Sequence, residues 1–89
     1  MDSVSPEPPL PRRAEVAFSD LAARQVEKLT APQVHRLDRA LVAISARPDI
    51  GHPLPGGQLR DYRDDIDRVR VIYHVTLRRT IVIVGYVEV

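Results

Sequence analysis

Arginine carries nearly all the positive charge of this chain: twelve of its thirteen basic residues are Arg, and Lys28 is the lone lysine. A guanidinium presents a planar fork of donors that grips phosphate at two points, so this bias suits nucleic-acid recognition. GC-rich coding also favours Arg over Lys, and composition alone leaves both origins open. The arginines of interest are Arg60, Arg63, Arg68 and Arg70, in the segment QLRDYRDDIDRVRVIYHV. Strand alternation over RVRVIYHV sets Arg68, Arg70, Ile72 and His74 on one face and Val69, Val71, Tyr73 and Val75 on the other. If the valine face meets a core, Arg68 and Arg70 point into an open groove. His52 and His74 are the side chains titrating near neutrality that such a groove can recruit. His74 shares the face of Arg70 but lies four residues along, roughly 13 Å away.

Other chemistries are excluded more firmly. The three histidines are 17 and 22 residues apart, which matches no zinc signature. Cysteine is absent, so neither a disulfide framework nor a thiolate metal site exists, and a reducing compartment is the simple expectation. No serine–histidine–acid arrangement is evident. The glycines of GHPLPGG precede no helix whose amides would bind phosphate. No cofactor and no metal are expected. With no apolar run near the roughly 18 residues a membrane span needs, and no basic-then-apolar leader, the expected location is the cytoplasm.

The elements that must position the arginines follow from the rest of the 89 residues, room for one small domain. Residues 1–13 hold four of the eight prolines and predict an extended or disordered arm, leaving 14–89 as the folded domain. AEVAF predicts a short strand, and Ser19 and Asp20 offer N-cap oxygens to a helix with Leu21, Ala22, Val26 and Leu29 at helical spacing. Thr30 caps a second helix with Pro32 in its first turn and an apolar stripe of Val34, Leu37, Leu41 and Ile44. That helix stops at Arg47-Pro48-Asp49, because residues before proline avoid helical angles. A Pro/Gly loop over residues 48–57 leads to three strands: Leu59–Arg63, Arg68–Val75 and Thr80–Val87, the last two joined tightly by Thr76–Arg79. The expected fold is α+β, an N-terminal helical hairpin packed on a small, mainly antiparallel four-stranded sheet.

In that order and spacing the chain resembles the RelE/ParE superfamily of toxins from type II toxin–antitoxin systems. The likeness spans about Val16 to Tyr86. FSDLAARQVEKL is similar to the family's opening aromatic residue, cap and amphipathic helix. QLRDYRDDIDRVRVIYHV resembles its leucine–basic–aromatic–Arg segment leading to Arg-hydrophobic-Ile-Tyr, here Arg70-Val71-Ile72-Tyr73. The last strand runs into Val84-Gly85, as the family's does. The resemblance implies a cognate antitoxin as partner and one of two targets: ribosome-bound mRNA, cut by RelE-type members, or DNA gyrase, bound without nuclease activity by ParE-type members. Fold cannot separate the two.

For a nuclease, the resemblance assigns Arg70 to the scissile phosphate and Arg63 to one of the family's basic phosphate-binding positions. Tyr86 is the aromatic candidate for stacking or proton transfer, and Arg60, Arg68 and His74 are RNA- or phosphate-binding candidates. No metal is needed where arginines hold the phosphate and a side chain moves protons. The sequence also departs from the family. Asp65 stands two residues after Arg63, where nucleases have a second base, and Asp64, Asp65 and Asp67 add negative charge where a polyanion should lie. Val87 stands where the family has Arg or His, and Tyr86 is displaced from the usual aromatic position. Three readings follow: an mRNA endonuclease that inhibits translation, a gyrase-binding toxin, and a degenerate member that binds its antitoxin without toxicity.

Overall fold

The computed structural model describes residues 13–89 except 77 and 79. The expected arm over 1–13 therefore lies, but for Arg13, outside the described residues, as does part of the 76–79 connection. Strand β1 (Glu15–Phe18) leads into helices α1 (Asp20–Glu27) and α2 (Ala31–Ala46). A short 3-10 turn (Pro48–Ile50) follows, then strands β2 (His52–Pro53), β3 (Leu59–Asp64), β4 (Val69–Val75) and β5 (Ile81–Glu88). The fold is α+β, as the sequence predicts. Among the described residues the sheet has five strands rather than four, in the order β1-β5-β4-β3-β2. β1 is parallel to β5, and every other pairing is antiparallel. The extra strand is the pair His52–Pro53, inside the segment that composition marks as loop. Proline sits there without loss because β2 is an edge, where a missing amide donor breaks no ladder.

Both helices start where their caps dictate. The Ser19 hydroxyl accepts from the Ala22 amide at 3.2 Å and donates to the Gly85 carbonyl at 3.3 Å, so one side chain caps α1 and ties it to β5. Thr30 and Gln33 form a reciprocal capping box, with Pro32 in the first turn of α2. The buried stripe of α2 is Leu37, Ala40 and Ile44, packed over Val71, Tyr73 and Val84 of the sheet. Val34 and Leu41 are only partly buried, and Ala40 takes the buried position between Leu37 and Ile44. α1 buries Ala22, whereas Leu21 points to solvent.

Alternation in β4 is as predicted: Val69, Val71 and Tyr73 are buried beneath the helices, while Arg70, Ile72 and His74 lie on the opposite, uncovered face. β5 breaks its alternation once. Ile72 pairs with Tyr86 but Tyr73 pairs with Val84, leaving Gly85 as an unpaired extra residue, a β-bulge. Val82, Val84 and Val87 therefore all face the core, and Tyr86 and Glu88 turn to the open face. Beyond the end of β1, the Gln25 side chain takes over the free edge of β5 by accepting from the Val87 amide at 2.8 Å. Among the described residues, no helix is long and apolar enough to cross a membrane.

Candidate functional site

Cross-strand register assembles the open face. Arg63 lies opposite Arg70, and Arg70 opposite Glu88; one step along, Asp61 lies opposite Ile72, and Ile72 opposite Tyr86. Arginines from adjacent strands thus meet around one carboxylate. Arg70 donates from Nε to Asp61 Oδ1 and from Nη2 to Asp61 Oδ2, both at 3.1 Å. Arg63 donates to the same Oδ2 from Nε at 3.2 Å and from Nη2 at 3.1 Å. The Asp61 side chain is only 8% exposed, against 32% for Arg70 and 63% for Arg63. The hydrogen bonds from Arg70, with Arg63 behind them, hold the Asp61 carboxyl below its ordinary range despite burial. On the other side of Arg70, Nη1 lies 3.8 Å from Glu88 Oε1. Two arginines and two acids give the cluster a formal charge of zero.

Tyr86 reaches this face because of the Gly85 bulge, but its hydroxyl donates to Glu88 Oε2 at 2.8 Å. That bond raises the phenol above its ordinary value and keeps its proton in place. Tyr86 stands beside Arg70 with its hydroxyl proton engaged by Glu88. Val87 is buried in the core, so the Arg or His position of the resemblance has no counterpart at that residue on the open face.

The other candidates separate. His74 shares the face of Arg70 but lies between Leu59 and Ile83, at the apolar end two register steps from Arg63 and Arg70. Arg68 is not part of β4; it sits in the β3–β4 turn with φ 56°, a left-handed conformation, so strand alternation does not govern its direction. Arg60 faces away from the open sheet surface, and its Nη1 donates to the carbonyls of Asp49 at 3.1 Å and Gly51 at 2.8 Å. It braces the 3-10 turn. Tyr73 does the same from the core, donating to the Pro48 carbonyl at 2.6 Å and accepting from the Gly51 amide at 2.9 Å. These two side chains fix the approach to β2, which puts His52 opposite Asp61. Beside them a cleft of about 630 Å³ is lined by Ile50, His52, Asp61, Tyr62 and Arg63.

Of the sequence candidates, the structure thus gathers Arg63, Arg70 and Tyr86, and sets Arg60, Arg68 and His74 apart. Sequence reasoning missed Asp61 and Glu88. For Asp61 a signal was present: alternation through LRDYRD puts it on the face of Arg63. Among the described residues, no group of three His, Cys, Asp or Glu side chains is placed to hold a metal.

No family model and no curated protein matches this chain. Solved structures do. The intact RelBE toxin–antitoxin complex of E. coli contains a chain with TM-score 0.72 and 22% identity, the match covering 84% of this chain and 94% of that one. A chain of the RelBE2 toxin–antitoxin complex of Mycobacterium tuberculosis matches with TM-score 0.75 and 21% identity, over 86% and 91% of the two chains. The archaeal RelE–RelB complex of Pyrococcus horikoshii OT3 matches at TM-score 0.61 and 16% identity, over 85% and 93%. The chain has the RelE toxin fold.

Proposed function

We propose that the chain is the toxin of a type II toxin–antitoxin pair, held in check by a cognate antitoxin, and that it inhibits translation in the cytoplasm by cutting ribosome-bound mRNA. The observation that carries this reading is the convergence of Arg63 and Arg70 on the uncovered face of a RelE-type sheet. Arg70, anchored between Asp61 and Glu88, is the residue for the scissile phosphate; Arg63, more exposed, assists. Tyr86 supplies an aromatic surface beside them. Exposed Arg68 and half-buried His74, set apart from this cluster, are proposed to contact a longer RNA segment. Arg60 contributes by holding the 3-10 turn.

One observation favours a second reading, a member that binds its antitoxin but is no longer a nuclease: Asp61 and Glu88 occupy the arginine forks and bring the cluster to zero charge. Induced expression separates the two. A nuclease arrests growth, the antitoxin relieves the arrest, and primer extension finds new 5′ ends on translated transcripts only. Arg70→Ala should then reduce cleavage about 10²–10³-fold, as expected for one charge that stabilises a transition state. Cleavage undiminished in that variant would remove Arg70 from the role. Arrest with intact transcripts and a DNA-damage response would point to gyrase, and no arrest to the inactive member.

A further inference from the structure

The Asp61 carboxylate already sits where the two guanidinium forks converge. Carboxylate and phosphate engage an arginine fork in the same two-pronged geometry. We propose that Asp61 is an internal stand-in for phosphate: it holds Arg63 and Arg70 in a self-neutralised state, and a phosphodiester opens that state by capturing Arg63. This rests on the RNA-binding reading above and specifies how that site is loaded.

The depths of the three side chains set the order of events. Asp61 lies under the arginines at 8% exposure, and Arg63 lies over it at 63%. A phosphate arriving from solvent therefore meets the guanidinium before the carboxylate, and Asp61 has no need to leave. The two arginines are also held unequally. Arg70 spans both Asp61 oxygens and has Glu88 at its other edge. Both donors of Arg63 go to a single oxygen, Oδ2, which already accepts from Arg70. Arg63 is thus the weaker-held partner, and the cleft beside it has room for a nucleotide. Swinging Arg63 outward leaves Asp61 paired with Arg70, so no buried charge is abandoned. The consequence is a site with little attraction for polyanions at rest, whose affinity Asp61 limits.

The test is binding of a fluorescein-labelled single-stranded RNA oligonucleotide to the full chain, with folding checked by circular dichroism. Asp61→Asn keeps the shape and removes the competing charge. It should tighten binding about ten-fold at low salt, as for freeing one charge-assisted contact. The log–log salt dependence should keep its slope, because Arg63 meets the phosphate in both chains. Adding Arg63→Ala to Asp61→Asn should cancel the gain in affinity and lower the slope by about 0.7, the value for one lost phosphate contact on a single strand. Equal or weaker binding by folded Asp61→Asn overturns the proposal, leaving Asp61 as a residue that merely positions the arginines. If Asp61→Asn does not fold, the Nε–H resonance of Arg63 in the unmutated chain decides. A saturable shift on RNA addition, larger than that of Arg70, supports the exchange; an unmoved Arg63 signal overturns it. Failure of the RNA reading itself looks different: Arg63→Ala and Arg70→Ala would both leave binding to the unmutated chain's level unchanged.

Discussion

Gly51 and Tyr73 meet so closely that neither can change alone. A Cβ on Gly51 would lie 2.8 Å from the Tyr73 hydroxyl oxygen and 2.9 Å from its Cε1, well inside van der Waals contact. Tyr73 is fully buried and has nowhere to retreat. Gly51→Ala should therefore cost about 1–3 kcal/mol as overpacking, read as a lower denaturant midpoint. Tyr73→Phe opens no comparable clash but leaves the Pro48 carbonyl and the Gly51 amide without their partner, and it should cost about 1–3 kcal/mol as unsatisfied buried groups. The two losses should not add in the double variant, because removing the hydroxyl relieves part of the clash. Full additivity would show that Gly51 and Tyr73 act independently. Arg60 braces the same turn from the other side, so this corner keeps His52 beside Asp61 through structure rather than through chemistry of its own.

Among the elements, those fixed by local chemistry were legible in the sequence. Ser19 and Thr30 cap because a side-chain oxygen before a helical stretch has amides to satisfy, and Pro48 ends α2 through a clash with its own neighbour; both are short-range effects. The inward valines of β4 follow from a period of two. What was not legible depends on distant partners. His52–Pro53 becomes a strand only because β3 offers an edge. Gly85 becomes a bulge only in register with Ile72 and Tyr73, and the bulge is what turns Tyr86 outward. Asp61 pairs with Arg70 across two strands, a contact no local pattern encodes. The α2 stripe shows the limit most plainly, since Leu37 and Leu41 sit on one predicted face yet differ in burial. Leu37→Ala should cost about 2–4 kcal/mol, whereas Leu41→Ala, at the flank, should cost under about 2 kcal/mol. Equal losses in urea denaturation would return the stripe to the centre predicted from spacing.

Across the whole molecule, ion pairs join elements on top of the packing of the small core. Asp61 links β3 to β4 through Arg70, while Arg63 binds it within β3. Asp67, in the turn between those strands, binds Arg39 of α2 through two bonds of 2.9 Å, and its carbonyl accepts from Arg36 at 3.1 Å. One carboxylate thus closes the hairpin and the other fastens the hairpin to the helical layer. Their arginine partners hold both below the ordinary carboxylate value of 3.8. In acid the folded state therefore binds fewer protons than the unfolded chain, so these groups make stability rise with pH. Their contribution is complete above the unfolded value and disappears as pH falls through the lowered folded values. The urea midpoint should accordingly stay level, as far as these groups are concerned, from about pH 7 to about pH 5 and drop towards about pH 3. Most of the effect should come from Asp61, because the exposed Asp67–Arg39 pair is screened by solvent. Asp61→Asn should lower the midpoint at neutral pH and flatten the acid limb, while Asp67→Asn should change both only slightly. An acid limb equally steep in Asp61→Asn would mean that other carboxylates carry the acid sensitivity and that the buried arginine–carboxylate cluster contributes little to holding the sheet together.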